Sequence, residues 1–374
     1  MQKLDHIDSI RGIAILMVVL VHTAQSVGDK GAVLTALCDY GQMGVQLFFV
    51  ASAFTLCQSW IGRAETSHRV RNFWIRRFFR IAPIYYLGIP VYFAVETLQH
   101  AIHTGDVVIP QQYGAANILA NLMFVNGFFP PANNNIVPGG WSIGTEMAFY
   151  ALFPAVMAIM PKRSPLSRRG ALLIFIVVAL GSAAATALAM SLTGMEIANN
   201  NFVYFNLAVQ APVFAVGVLY FFMRLDRSWP TLPLVANSLC VLIGTGMSLW
   251  LWHFGDPRWF GLIPTLSAIS FVFLFEALDG RKQLNPAWLR RLGQWSFSIY
   301  LFHFIFAHKI VFALSPALVA AVGPQLALAI VFPATVACTA AIASVTERRI
   351  ERPFIELGRR AIQRWDRRPL AVSA

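Results

Sequence analysis

Between residues 10 and 346, the sequence returns ten times to a long stretch of apolar residues that carries almost no charge. About 20 apolar residues are enough to cross the hydrocarbon core of a membrane as an α-helix. Within that core the backbone must satisfy its own hydrogen bonds, which a helix does. The pattern therefore predicts an all-α fold, a polytopic membrane bundle of about ten transmembrane helices. The predicted spans are residues 10–27, 42–60, 77–98, 141–160, 170–190, 202–223, 232–253, 258–278, 294–313 and 325–346.

The positive charges are concentrated on alternate connections between these spans. The net charge of +12 would suggest nucleic acid as a partner in a soluble protein, but 57% of this chain is hydrophobic. Cytoplasmic loops of membrane proteins carry the excess of Lys and Arg. We therefore expect both termini in the cytoplasm, and no nucleic acid. The cytoplasmic set includes Arg63, Arg69, Arg71, Arg76, Lys162, Arg163, Arg168, Arg169, Arg224, Arg227, Arg281, Lys282, Arg290, Arg291, Arg367 and Arg368, whereas the opposite loops hold Lys30 and Arg258.

Two residues of the first span carry the clearest functional signal. Arg11 and His22 are eleven residues apart, a rise of about 16 Å and close to three turns, so they share one helix face. Polar groups at membrane depth usually face the bundle interior and mark function. The alternative is that Arg11 anchors the helix and His22 lies at the outer interface.

Three further stretches hold candidate residues. Arg77 and Arg80 lie three apart at a helix entry, where they suit either the phosphates of a nucleotide or coenzyme A, or anionic lipid headgroups. Ser142 and Glu146 share a face of the fourth span, where the carboxylate would orient a histidine, bind a sugar hydroxyl, or complement the helix dipole. His303 lies about 13 Å into the ninth span, as either a catalyst or a hydrogen-bonded packing residue.

The connection from Gln99 to Gly140 contains no Lys or Arg, which places it outside the cell. Its apolar piece from Ala115 to Val125 is too short to cross, and predicts a re-entrant or interfacial helix. Phe128 and Phe129 beside three asparagines suit a sugar-binding surface, although a plain loop is the simpler interpretation. The four cysteines show no metal-ligand spacing, so we expect neither a disulfide nor a metal site.

Six stretches together resemble the integral-membrane acyltransferase family 3, whose members typically O-acylate cell-surface glycans. The resemblance covers most of the chain from Asp5 to Phe354. Ala53 departs from the pattern, standing where glycine is usual. The stretches are DHIDSIRGIAILMVVLVHT, GVQLFFVASAFTL, RRFFRIAPIYYL, WSIGTEMAFY, FSIYLFHF and ERPF.

The resemblance implies that Arg77 and Arg80 bind acyl-CoA, most simply acetyl-CoA. The resulting hypothesis makes His22 the general base, with Glu146 orienting its imidazole or positioning the acceptor, and adds Arg11 to the acyl-CoA site. A rival scheme makes His22, or a serine such as Ser52, a covalent acyl carrier. The remaining substrate or tunnel candidates are Trp141, Ser142, Ser298, Tyr300 and His303.

The resemblance also implies a setting. Residues 1–350 would form the acyltransferase domain, and residues 351–374 a short basic cytoplasmic tail. We expect a bacterial inner membrane, membrane lipids as neighbours, and a glycan or lipid-linked glycan as acceptor. Exopolysaccharide and lipopolysaccharide O-antigen are the leading acceptors, and a secondary metabolite is the alternative. A transporter of a glycan precursor or hydrophobic metabolite is the competing class, although no inverted repeat is visible.

Overall fold

Ten long apolar helices build the part of the chain that the structure describes, as the sequence predicts. The computed structural model describes residues 5–63, 68–160 and 166–366, which are helical or in turns and loops, with no β-strand among them. Lys162, Arg163, Arg367 and Arg368, predicted to be cytoplasmic, lie outside the described residues. The helices are α1 Asp5–Gln25, α2 Ala32–Ile61, α3 Arg69–Thr104, α4 Gly140–Ile159, α5 Arg168–Thr193, α6 Phe202–Leu225, α7 Leu234–Phe254, α8 Trp259–Leu278, α9 Ala287–Val322 and α10 Pro324–Asp366.

The two ends of the bundle differ in character. We call the end that holds Asp5 and the start of α3 the basic side, and the end that holds residues 105–139 the loop side. In the loop, a helix at Ala115–Leu122 confirms the predicted helix that is too short to span. Phe128 and Phe129 next to it are more than half exposed. The orientation of the two sides in a membrane stays a prediction from the charge pattern.

Helix α1 lies at the centre because its neighbours approach it at backbone distance. A Cβ on Gly293 of α9 would come within 1.7 Å of the Asp8 carbonyl oxygen, and one on Gly44 of α2 within 2.5 Å of the Ala14 carbonyl oxygen. Only glycine fits such contacts, and small residues are the usual means of close helix packing in membranes. Positions 11 and 22 are thereby held inside the bundle.

The departure at Ala53 from the family pattern is accommodated by its partner helix. Ala53 of α2 is fully buried. A Cβ on Gly217 of α6 would lie 2.8 Å from the Ala53 Cβ and 2.7 Å from the Val50 carbonyl oxygen. The glycine that permits close packing of α2 on α6 is therefore on α6.

Two helices change their hydrogen-bond pattern part way along. α9 contains a π-helical segment at Ile305–Val311, and α10 contains another at Glu347–Glu351. Beyond the second segment α10 continues as a helix to Asp366, so residues 351–366 of the predicted tail are helical. This part lies against α3, where Gly358 faces Phe79 and Asp366 pairs with Arg71 at 2.6 Å.

Candidate functional site

The first of two neighbouring cavities opens among α1, α2, α3, α4 and α9. We call it the basic cleft. It contains about 660 Å³ of space free of protein atoms, part of it open to solvent. It brings together seven of the residues that the sequence singled out, on five helices. These are Arg11, Ser52, Arg77, Arg80, Ser142, Glu146 and Tyr300.

The three arginines of the basic cleft lack carboxylate partners. Arg11 donates from Nη2 to the Thr55 hydroxyl at 3.3 Å. The Arg77 guanidinium lies 5.7 Å and 5.8 Å from the ring centres of Phe73 and Tyr150, and its Nε is buried without a partner. Among the described residues, no ion pair involves Arg11, Arg77 or Arg80. Unpaired guanidinium groups of this kind are well suited to bind phosphate.

The carboxylate of the basic cleft is engaged by two hydroxyl groups. Glu146 Oε1 accepts hydrogen bonds from Ser52 Oγ and Tyr150 Oη, each at 2.5 Å. The two hydroxyl oxygens, Ser52 Oγ and Tyr150 Oη, are 3.1 Å apart. A serine that donates to a carboxylate has the geometry of a nucleophile beside a base. Tyr150 was not among the sequence candidates, although it lies one turn from Glu146 on α4.

The second cavity lies toward the loop side, and His22 lines it. We call it the loop-side cavity. It contains about 900 Å³ of space free of protein atoms, part of it open to solvent. Its wall consists of carboxamide, imidazole and aromatic side chains with a few small residues. The lining residues are Val18, His22, Gln25, Gln42, Val45, Gln46, Asn134, Pro138, Gly139, Trp141, Asn200, Tyr204, Phe205, Tyr300, Phe304 and His308.

The hydrogen-bond partner of His22 is a residue of its own helix. Its Nδ1 lies 3.3 Å from Gln25 Oε1, which accepts a hydrogen bond from Nδ1–H, so the neutral ring carries its lone pair on Nε2. Glu146 does not orient this imidazole, since its carboxylate bonds Ser52 and Tyr150 in the other cavity. Of the two roles predicted for Glu146, orientation of His22 is therefore not observed, and positioning of the acceptor stays a prediction.

His22 belongs to a cluster of rings at the loop side. Its ring centre is 5.2 Å from that of His303, 5.2 Å from that of His308 and 4.4 Å from that of Phe304. His303 is fully buried and lines neither cavity. Its Nδ1 donates to the Tyr300 carbonyl at 2.7 Å, and its Nε2 has no partner. His303 thus lies behind His22 and supports it.

The sequence analysis missed His308 for a geometric reason. In a regular α-helix, residues five apart point about 140° away from each other. The π-helical segment Ile305–Val311 has hydrogen bonds between residues five apart, so it brings His308 to the same side as His303. Such segments are frequent at functional sites.

The two cavities share a wall at Val45 and Tyr300. Tyr300 Oη lies 2.7 Å from Ser142 Oγ and 3.1 Å from the Gly139 carbonyl oxygen. Gly139 has φ of 77°, and a Cβ there would come within 2.8 Å of Tyr300 Oη, so glycine is needed for both reasons. Next to it, Trp141 stacks on Phe205 with ring centres 4.2 Å apart.

Ser298, by contrast, lines neither cavity. It donates to Glu351 and accepts from Thr346 Oγ1 at 2.8 Å, which joins α9 to α10. On a helix, residues two apart point in nearly opposite directions, so Ser298 and Tyr300 cannot both face the cavities. Ser298 thus faces α10 in this structure, and its predicted tunnel role stays a prediction. The Glu351 that it binds belongs to the ERPF stretch.

Comparisons with known proteins agree with this architecture. The family model of the acyltransferase domain, family 3, matches residues 4–344, nearly the whole chain. The chain belongs to this family and is an acyltransferase of the multi-pass membrane type. No solved structure matches the chain significantly.

Curated relatives carry related names. The chain is 25% identical over 317 residues to the acyltransferase MdmB of Streptomyces mycarofaciens, covering 81% of this chain and 79% of that one. It is 27% identical over 318 residues to the putative membrane-bound transacylase BcsY of Komagataeibacter xylinus, covering 79% and 71%. It is 24% identical to the peptidoglycan O-acetyltransferase OatA of Listeria monocytogenes, covering 80% of this chain and 48% of that one.

Proposed function

We propose that this acyltransferase moves an acetyl group from cytoplasmic acetyl-CoA to a hydroxyl of an exported or surface glycan, in the inner membrane of a bacterium. Exopolysaccharide and lipopolysaccharide O-antigen are the proposed acceptors. The name of the OatA relative, a peptidoglycan O-acetyltransferase, supports acetyl as the group and a glycan as the acceptor. Both termini and the basic side would face the cytoplasm, where acetyl-CoA is made.

One observation carries the proposal. Two cavities of opposite character share the wall at Tyr300, and α1 supplies Arg11 to one of them and His22 to the other. A donor with several phosphates and an acceptor with several hydroxyl groups would therefore meet within the bundle.

The basic cleft would hold the donor. Among the described residues, no ion pair involves its three arginines, which are Arg11, Arg77 and Arg80. Phosphate oxygens could therefore bind these guanidinium groups without displacing a carboxylate. Arg77 and Arg80 lie one turn apart on α3 and suit bidentate contacts to neighbouring phosphates. The acetyl end of the donor would then lie toward Tyr300 and Ser142.

His22 would act as the general base. With Nδ1–H bound to Gln25, its Nε2 is free to take the proton of an acceptor hydroxyl. The hydroxyl oxygen attacks the thioester carbonyl, a C–O bond forms, and the C–S bond breaks. The proton on His22 then passes to the leaving thiolate, which gives free CoA. The Ser142 and Tyr300 hydroxyls at the shared wall both donate to the Gly139 carbonyl oxygen in this structure, and they are proposed to turn and donate to the oxyanion when it forms.

A covalent route has its own support in the structure. Ser52 Oγ donates to Glu146 at 2.5 Å within the basic cleft, where the thioester would lie. In that route Ser52 Oγ attacks the thioester carbonyl while Glu146 takes its proton, the C–S bond breaks, and the proton passes to the CoA thiolate. In a second step His22 takes the proton of the acceptor hydroxyl, whose oxygen attacks the Ser52 ester, and the departing Ser52 oxygen regains a proton from His22. Acid quenching with radiolabelled acetyl-CoA distinguishes the routes, because a Ser52 ester would accumulate in His22→Ala and vanish in Ser52→Ala.

The test of the proposed function measures both product and residue dependence. Purified full-length protein in lipid nanodiscs is given acetyl-CoA and envelope glycans from a strain that lacks the gene. We expect release of free CoA and a new acetyl mass on one sugar, and loss of both in His22→Ala. His253→Ala, an exposed histidine at the end of α7, serves as the control. Release of CoA that persists in His22→Ala would overturn the assignment of the base.

A further inference from the structure

We infer that the loop-side cavity takes an uncharged sugar, and that the side-chain carbonyl of Gln46 accepts a hydrogen bond from one of its hydroxyl groups. This inference rests on the proposed function and narrows it, because it names the class of acceptor and one residue that recognises it. The inference predicts that neutral sugars bind in this cavity and that acidic or phosphorylated sugars do not. All three kinds of sugar occur in bacterial glycans.

The two cavities differ in the charge of their walls. The basic cleft has three arginines and a glutamate in its wall. The loop-side cavity has no Asp, Glu, Lys or Arg among the described residues that line it. The basic side chains in its wall are the imidazoles of His22, which must be neutral to act as the base, and of His308. A carboxylate or phosphate buried there would therefore lose its water without gaining a permanent cation, which is strongly unfavourable.

The polar groups of the loop-side cavity are mostly neutral carboxamides. Five carboxamides line it, from Gln25, Gln42, Gln46, Asn134 and Asn200. A carboxamide both donates and accepts, as a sugar hydroxyl does. Aromatic rings lie between them, including the Trp141 and Phe205 pair. Aromatic faces and neutral amides together match a ring with hydroxyl groups on its edge and C–H groups on its face.

Two hydrogen-bonded side-chain amides lie behind the wall of the loop-side cavity, and their orientation is fixed. Gln210 Nε2 donates to the Tyr204 carbonyl oxygen at 2.9 Å. Gln46 Nε2 donates to Gln210 Oε1 at 3.1 Å. Because a backbone carbonyl only accepts, the Tyr204 end fixes the direction of the whole chain. The orientation of the Gln46 amide therefore follows from the network, across helices α2 and α6.

The chain ends in an acceptor that nothing satisfies. Gln46 is 1% exposed; its amide also contacts the Tyr204 hydroxyl, and its Oε1 is buried with no hydrogen-bond partner among the described residues. Buried polar groups in proteins are nearly always paired, so an unpaired carbonyl at the wall of a cavity indicates a missing donor. A hydroxyl of the acceptor sugar supplies such a donor in the cavity that also contains His22.

The experiment uses purified full-length protein in lipid nanodiscs with acetyl-CoA. Methyl β-D-glucopyranoside and methyl β-D-glucopyranosiduronate are compared as acceptors, since they differ by one carboxylate. We expect kcat/KM to be at least about tenfold higher for the neutral glycoside. Equal use of both, preference for the acid, or use of neither while envelope glycans are acetylated would overturn the inference. Absence of CoA release with envelope glycans would overturn the proposed function itself.

The role of Gln46 is tested by Gln46→Leu, which keeps the approximate size and removes the amide. We expect the KM for the neutral glycoside to rise about tenfold, as for the loss of one hydrogen bond, with the KM for acetyl-CoA unchanged. Ser248→Ala is the matched control, since it removes a buried bond between α7 and Ser267 of α8 away from both cavities. A lower Tm without a change in acceptor KM would show a merely structural role. The preference for a neutral acceptor is measured on the wild-type protein, so it can be refuted even if Gln46→Leu does not fold.

Discussion

Replacing Arg77 by glutamine is expected to weaken donor binding without unfolding the bundle. The guanidinium forms no ion pair among the described residues, and Glu146, which attracts it across the basic cleft, keeps its hydrogen bonds from Ser52 and Tyr150 when the charge is removed. The lost contacts are those with the rings of Phe73 at 5.7 Å and Tyr150 at 5.8 Å. Each such contact contributes about 0.5–1 kcal/mol, so the free energy of unfolding should fall by only about 1–2 kcal/mol.

The effect on the donor should be larger. A hydrogen bond to a charged group contributes about 1.5–3 kcal/mol, which corresponds to a rise in the acetyl-CoA KM of about tenfold to a hundredfold. The KM is measured from release of free thiol, with acetyl-CoA and with S-acetylpantetheine, which has no phosphate. Arg77→Gln should raise the first KM and leave the second unchanged, because the guanidinium is proposed to bind phosphate.

The matched control is Arg224→Gln. Arg224 pairs with Asp279 and, at 3.5 Å, with Glu276, and it lines neither the basic cleft nor the loop-side cavity. This substitution should therefore lower Tm by more than Arg77→Gln does, because Glu276 loses its cation and Asp279 keeps only His6. The acetyl-CoA KM should stay as in the wild type. The reasoning is refuted if Arg77→Gln leaves the acetyl-CoA KM unchanged, or if it raises the KM for both donors equally.

Three further predictions concern other parts of the molecule. His22→Ala should lower the acetylation rate by a factor of about 10²–10⁴. Added imidazole should restore part of the rate by entering the loop-side cavity. No restoration at any imidazole concentration would argue against a base at this position. Gly293→Val should prevent stable packing of α9 on α1, since a Cβ would come within 1.7 Å of the Asp8 carbonyl oxygen, whereas Gly181→Ala, with open space around it, should leave Tm unchanged. Hydrogen bonds from His6 first, and then from Arg224, hold the pKa of Asp279 below its usual range. The ionised carboxylate therefore stabilises the folded protein at pH values above its unfolded pKa of about 3.9. This stabilisation is lost as the pH falls toward the pKa of the folded state. The Tm difference between the wild type and Asp279→Asn should therefore be largest near neutral pH and shrink below about pH 5; a difference that does not change with pH would contradict this.

The sequence was sufficient for the architecture because each helix follows from a local property. Length and lack of charge identify a span wherever it lies in the chain. The count of ten is confirmed, and Ala115–Leu122 is correctly separated from the spans by its length alone. The period of 3.6 residues likewise places Arg11 and His22 on one face of α1, and the structure has both lining cavities.

The grouping of the site residues depends on contacts between distant segments. Glu146 bonds Ser52 and not His22 because of how α2 packs on α4, and no spacing along the chain reports that packing. The pair of Gln46 and Gln210 joins residues 164 positions apart. Such contacts exist only after the helices have assembled.

What the sequence alone determined is thus the set of helices, their number and the faces of single helices, because these depend on local hydrophobicity and helical period. The tertiary structure decided that the candidates divide into two cavities, one with unpaired arginines and one with neutral amides. It also decided that His308 joins His22, since a π-helical segment changes the face on which a residue lies. The physical reason is that side chains in a membrane bundle find their partners across helices, where sequence distance carries no information.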